Sequence, residues 1–164
     1  MKILVIHGPS LNLLGKREPA IYGRRTLSEI DDLLVAHGRE RDIEIVTYQS
    51  NHEGDIIDRI HAAVPEKVAA IVLNPGAYTH TSMAIADAVR AVPVPVVEVH
   101  LSNLFARGPE RAHSVTTGAC RGIVSGFGHE SYLLGIEAAL RLAKPTRSQR
   151  REIPSRRGAR KRRS

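Results

Sequence analysis

The chain has 164 residues, of which 42% are hydrophobic, enough for one globular core that buries about 70% of the surface its unfolded form would expose. Its net charge of +7 does not mark a nucleic-acid-coating body, because Lys144 to Ser164 holds ten Lys or Arg against the single acid Glu152, while residues 1–143 hold 14 basic and 16 acidic groups. The lone cysteine, Cys120, excludes an internal disulfide and reads as a small core residue, and no apolar run approaches the roughly 18 residues of a membrane span. The opening MKILVIHGPSLNLL lacks a signal-peptide cleavage pattern, so a soluble cytoplasmic protein is expected.

In chain order, a first apolar run from Lys2 to Ile6 predicts a buried strand. The stretch HGPSLNLLGKREPAIYGRRT that follows is too long for an ordinary strand-to-helix loop of about 2 to 6 residues, and reads as a lid that delivers Arg17 and Tyr22. Thr26 and Glu29 then form a capping box, opening a helix with Ile30, Leu33 and Leu34 on one face. A strand from Ile43 to Tyr48 precedes a helix that carries Ile56, Ile57, Ile60 and Val64 inward. Val68 to Leu73 is the third strand. A helix from about Thr81 to Val92 follows, capped by Thr79 or Thr81, with Ile85, Ala88 and Val89 inward. Strands at Val94 to Val99 and Gly122 to Phe127, and a last helix with Leu133, Ile136 and Leu140, complete the pattern.

This alternation predicts right-handed crossovers, hence an α/β domain with a flavodoxin-like five-stranded parallel sheet and helices on both faces over residues 1–143. The basic tail, residues 144–164, has no aromatics and no apolar period; it is expected to be disordered, serving solubility or binding polyanions. In such sheets ligands bind beyond the carboxyl ends of the strands. Six of the eight histidines, His7, His52, His80, His100, His129 and, just beyond, His113, fall in or beside those segments, which core packing does not explain.

Three segments carry candidate chemistry. In the first, Tyr22 has a reference pKa near 10, so holding it half-ionised at neutral pH costs about 4 kcal/mol. One guanidinium about 4 Å away, at an effective dielectric near 20, supplies about that much, so Arg17 can make Tyr22 a base. Surface packing for Tyr22 and a solvated charge for Arg17 are the plain alternatives. In NPGAYTHTS, Asn74 and His80 offer an amide and an imidazole to hydroxyl groups, and free amides at the helix start suit an anion. A turn asparagine and a capping-region histidine are the plain reading there. In EVHLSN, Glu98 is the one carboxylate in an apolar strand and needs a partner. His100 lies two residues on, on the same face, as an imidazole held by a carboxylate for acid or base work. Leu101, Ser102 and Asn103 present amides and a hydroxyl suited to a carboxylate, and Arg107 and Arg111 follow. A structural role for His100 stays open from spacing alone.

Taken in order, HGPSLNLLGKREPAIYG, NPGAYTHTS, EVHLSN and GFGHESYLLGIEAAL resemble the successive motifs of type II 3-dehydroquinate dehydratases, over about residues 2–143. The resemblance implies a cofactor-free, metal-free lyase of the shikimate pathway or of quinate breakdown. It would convert 3-dehydroquinate to 3-dehydroshikimate by anti elimination through an enolate, as a homododecamer. It further implies Tyr22 as the base, Arg17 lowering its pKa, and His100, oriented by Glu98, as the acid. Asn74, His80 and Arg111 would hold ring hydroxyls, the Leu101 and Ser102 amides the carboxylate, and Asp87 a neighbouring subunit's site. Two positions depart from the family's pattern: Ser10 stands where the family has an asparagine that helps place a water near the enolate oxygen, and Glu110 where it more often has a bulky aromatic.

Rival classes are weaker. A metal hydrolase using His7, His52, His80 and His100 with Glu53 or Glu98 lacks any HxxxH or HxH pair, and a nucleotide or flavin module lacks GxGxxG and GxxxxGKS. An anion-binding protein driven by the tail is the non-enzymatic alternative.

Overall fold

The computed structural model describes residues 1–16 and 24–143, so the sequence expectations for Arg17, Tyr22 and the tail fall outside the described residues. Five strands, β1 Lys2–His7, β2 Glu44–Gln49, β3 Ala70–Asn74, β4 Val96–His100 and β5 Gly122–Ser125, pair in parallel in the order β2-β1-β3-β4-β5. That is the flavodoxin-like order expected from five strands alternating with helices.

Every strand of the first four ends one residue later than the apolar runs predict, so the polar residues His7, Gln49, Asn74 and His100 are the last strand residues instead of the first loop residues. β1 and β5 start where the runs do, while β2, β3 and β4 start one or two residues late. Lys67 is left-handed with φ 56°, so β3 begins only at Ala70. Pro93 and Pro95 cannot donate to a ladder, so β4 begins at Val96. Gly126, at φ 100°, ends β5 before Phe127.

Four helices of the described residues cover the sheet: α1 Leu27–Arg39, α2 Glu53–Ala62, α3 Met83–Ala91 and α4 Glu130–Ala143. The capping box that opens α1 is present, with Thr26 N–H donating to Glu29 Oε2 at 2.7 Å and Glu29 N–H donating to Thr26 Oγ1 at 3.2 Å. The cap of α3 differs from expectation. Ser82, not Thr79 or Thr81, accepts from Ile85 N–H at 2.9 Å, because the Thr79 hydroxyl is committed to Glu98.

The strand period of two divides the core. Ile3, Val5, Ala70, Val72, Val97 and Val99 face α1 and α4; Leu4, Ile6, Ile71, Leu73 and Val96 face α2 and α3. Each large apolar side chain so buried contributes about 1.5–3 kcal/mol before ordering entropy is subtracted. Leu33 and Leu133 are half-buried instead of fully inward, and Val64 is exposed because α2 has already ended at Ala62 and the helical period no longer applies. Cys120 is half-buried against the second cluster. No helix among the described residues is long and apolar enough to cross a membrane.

The seating of α4 depends on Gly135, where an added Cβ would stand 2.5 Å from Val99 Cγ1 and 3.3 Å from Val72 Cγ1. Branched strand side chains cannot swing away. Gly135→Ala therefore loses about 1–3 kcal/mol to overpacking, more than the roughly 1 kcal/mol that alanine gains as a helix former. A lower midpoint of thermal unfolding for Gly135→Ala is the expected outcome.

Candidate active site

A cavity of about 120 Å³ opens at the carboxyl edge of the sheet, over the ends of β3 and β4. Its described wall brings together most of the residues singled out from sequence: Ser10, Asn74, His80, His100, Leu101, Ser102 and Arg111, with Arg107 beside them. Two arginines around so small a space give it a positive potential that suits an acid.

The β4 end carries the strongest electrostatics. Glu98 is fully buried and lies on the same face as His100, two residues on, so the His100 ring donates Nε2–H to Glu98 Oε1 at 2.7 Å. A carboxylate accepts only, so this bond leaves Nδ1 as the nitrogen for chemistry. Glu98 takes three further bonds that spacing did not reveal: Thr79 donates to Oε1 at 2.7 Å, Thr116 to Oε2 at 2.8 Å and the Cys120 thiol, more weakly, to Oε2 at 3.7 Å. Since Thr79 spends its proton on Glu98, the Ser114 hydroxyl 2.7 Å away must donate to Thr79. Burial alone would raise the Glu98 pKa. The hydrogen bond and charge of His100, then the hydroxyls of Thr79 and Thr116, outweigh it and hold the carboxyl below its ordinary range. Burial, with Glu98 beside it, pushes the Cys120 thiol up, so Cys120 stays an unreactive thiol.

On the other face of the sheet, His7 of β1 sits in register with Asn74 of β3. Both reach the Tyr132 hydroxyl of α4, His7 Nδ1 at 2.7 Å and Asn74 Nδ2 at 3.0 Å, and His7 Nε2 lies 3.0 Å from Asp31 of α1. Asn74 Oδ1 accepts from Gly76 N–H at 3.1 Å. His80 is fixed differently. Its Nδ1 is 2.7 Å from the His113 carbonyl, which can only accept, so Nδ1 carries the proton and Nε2 is left for a ligand.

The loops after β1 and β3 lock together at Gly8, whose N–H donates to Asn74 O at 2.7 Å; a Cβ there would stand 2.6 Å from the Pro75 carbonyl. Ser10 follows in the left-handed region at φ 66°, with its N–H on Asn51 Oδ1 at 2.9 Å. Arg111 faces the cavity from a short turn, Pro109–Arg111, so glutamate at position 110 does not remove it.

Not every expected residue converges. Asp87 lies on the exposed face of α3, ion-paired with Arg90 at 3.1 Å, outside this cavity. His52 and His129 stand at the starts of α2 and α4 and do not line it, and His7 is buried behind its wall. Among the described residues no three His, Cys, Asp or Glu side chains converge as metal ligands. Sequence reasoning missed Tyr132, Asp31, Thr79 and Thr116. Tyr132 keeps helical phase with Ile136 and so reads as core; only its polar tip hints at more.

The family model for dehydroquinase class II matches residues 1–140. The chain belongs to the class II dehydroquinases. It is 56% identical over 134 residues to the 3-dehydroquinate dehydratase of Thermus thermophilus, covering 82% of this chain and 90% of that one. To that of Carboxydothermus hydrogenoformans it is 54% identical over 140 residues, covering 85% and 90%. Its fold superposes on the crystal structure of type II dehydroquinase from Butyrivibrio crossotus with a TM-score of 0.84, at 44% identity and coverage of 85% and 97%. The same enzyme from Propionibacterium acnes gives 0.80 at 38% identity, with 87% and 95% covered.

In this dehydroquinase the depressed Glu98 pKa is also a stability contribution. A carboxyl lowered on folding stabilises above its unfolded pKa of about 4.3 and loses that stabilisation as pH falls through the folded value. Glu98→Gln keeps the shape but replaces charge-assisted bonds with neutral ones. At pH 7 it should unfold about 1.5–3 kcal/mol more easily than wild type, with the gap closing below about pH 4. Urea unfolding across pH 3–7 checks this; a gap constant with pH would contradict it.

Proposed function

We propose that this dehydroquinase, which dehydrates 3-dehydroquinate to 3-dehydroshikimate, does so by anti elimination through an enolate, with Tyr22 as base and His100 as acid. The observation that carries the reading is the buried Glu98–His100 pair, opening on a cavity that also holds Arg107 and Arg111. Family membership supplies the substrate; the relatives from Thermus and Carboxydothermus are both 3-dehydroquinate dehydratases.

In this reading Tyr22, made acidic by Arg17, takes the C2 proton beside the ketone. The electron pair moves onto the carbonyl oxygen as an enolate. When it returns, the C1–oxygen bond breaks and His100 Nδ1 delivers a proton to the departing hydroxyl, which leaves as water. Glu98 stabilises the imidazolium before that transfer and fixes which nitrogen acts. Asn74, His80 Nε2 and Arg111 hold the ring hydroxyls, and the amides of Leu101 and Ser102 the substrate carboxylate. Asp87, directed away from its own cavity, serves a neighbouring subunit in a homododecamer. The reaction belongs to the shikimate pathway or to quinate breakdown, and the basic tail serves solubility or a separate hold on polyanions.

The direct test follows the product's enone absorbance with purified protein and 3-dehydroquinate. Tyr22→Phe, Arg17→Ala and His100→Ala should each lower kcat at least about 100-fold, the scale of one positioned acid or base. Near-wild-type turnover in any of them removes the role assigned to it.

Ser10 gives a test of the opposite sign. It occupies a left-handed backbone position that asparagine tolerates better than serine, and it lines the cavity where an amide would bind the enolate-side water. Ser10→Asn should raise kcat by a measurable factor with little change in KM, and raise the thermal midpoint slightly. Unchanged or reduced turnover in steady-state kinetics would show that serine is no handicap.

A further inference from the structure

Asp31, His7 and Tyr132 form a buried chain that ends on Asn74 in the cavity wall, and its polarity is determined from both ends. At the inner end, Gly76 N–H can only donate, so the Asn74 atom 3.1 Å away is the carbonyl oxygen and Nδ2 faces Tyr132. Nδ2 donates to the Tyr132 oxygen at 3.0 Å, and the phenolic proton is left for His7 Nδ1 at 2.7 Å. Nδ1 then accepts, so the proton of a neutral imidazole stands on Nε2, where Asp31 Oδ1 waits at 3.0 Å. Starting from the outer end gives the same answer, since an ionised Asp31 can only accept. Every link agrees.

We infer that Asp31, His7 and Tyr132 are positioning residues for the dehydratase site, a hydrogen-bond relay that holds the Asn74 amide in one orientation toward the substrate. Each link has a reason to be where it is. His7 and Asn74 are register partners on neighbouring strands, Tyr132 is fully buried in the first turn of α4, and Asp31 is 29% exposed on α1. Burial pushes the Tyr132 phenol up, far from titration, so it stays a donor and takes no part as a base. An amide reversed by 180° would present a carbonyl where the substrate meets an N–H. A fixed asparagine therefore decides which ring hydroxyl is accepted, and this face of the sheet orients substrate while the Glu98 face holds the acid.

The inference rests on the dehydratase reading, and the test separates the two. Tyr132→Phe and Asp31→Ala are compared in the wild-type and Asn74→Ala backgrounds by steady-state kinetics. Each should lower kcat/KM about 5- to 10-fold in the parent, the scale of one lost hydrogen bond, and cause no further loss once Asn74 is alanine. An equal loss in both backgrounds, or none in the parent, overturns the relay. Asp31 is partly exposed, so its variant remains informative if Tyr132→Phe does not fold. Independently of activity, the ring-nitrogen NMR shifts of His7 in the unaltered protein should show Nε2 protonated and Nδ1 bare. The opposite tautomer overturns the relay, whereas absence of enone formation by wild type alongside the expected tautomer overturns only the dehydratase reading.

Discussion

A carboxylate with no water contact must be compensated where it lies, and Glu98 imposes that requirement on everything around it. An uncompensated charge there would cost several kcal/mol, a large share of the net stability of a domain this size. His100 supplies the compensating N–H, Thr79 and Thr116 donate their hydroxyls, and the Cys120 thiol adds a weaker bond. In meeting that demand the chain immobilises the imidazole at the cavity wall. The same bonds that make the burial tolerable leave one defined ring nitrogen, Nδ1, uncommitted to Glu98.

Around this pair the sheet works as a two-sided frame. Alternation along β4 sends Val97 and Val99 to α4 and Glu98 and His100 to the opposite face, beside the loop from Gly76 to His80. The same alternation along β1 and β3 sends His7 and Asn74 toward α1 and α4. Polar side chains on opposite faces thus meet at one edge, because β1, β3 and β4 each end on a polar residue, His7, Asn74 and His100. Gly8 then lets the loops after β1 and β3 close on each other, which brings Ser10 within reach of the strand ends.

The cavity's charge is uncomplicated by comparison. Arg107 and Arg111 come from turns that follow β4, so their backbone is set by short-range geometry and their side chains add positive potential without being fully buried. Relatives with 3-dehydroquinate, a carboxylic acid, in their names fit that sign. Positive potential favours an acid in general, and Asn74 and His80 add an amide and an imidazole to the same wall.

Much of this was legible along the chain. The five strands, the α1 capping box and the Glu98–His100 pair follow from local rules (a period of two or 3.6, a cap spacing of three, and a lone carboxylate two residues from an imidazole), and the sheet order from the alternation of strand and helix. Such signals survive because they involve neighbours in sequence. What sequence could not decide were contacts between residues remote in the chain. Tyr132 meets His7 across 125 positions and Asn74 across 58, and Thr116 reaches Glu98 across 18. Each of those side chains obeys a plain local reading, as core tyrosine, loop threonine or strand-end histidine, and nothing in its own neighbourhood distinguishes it. Even Thr79 reads locally as a helix cap, because a hydroxyl's partner is chosen by whichever unsatisfied buried charge folding brings within reach. Composition and periodicity determined the scaffold; only the folded chain, by forcing Glu98 and Tyr132 out of water, decided which polar groups had to find each other.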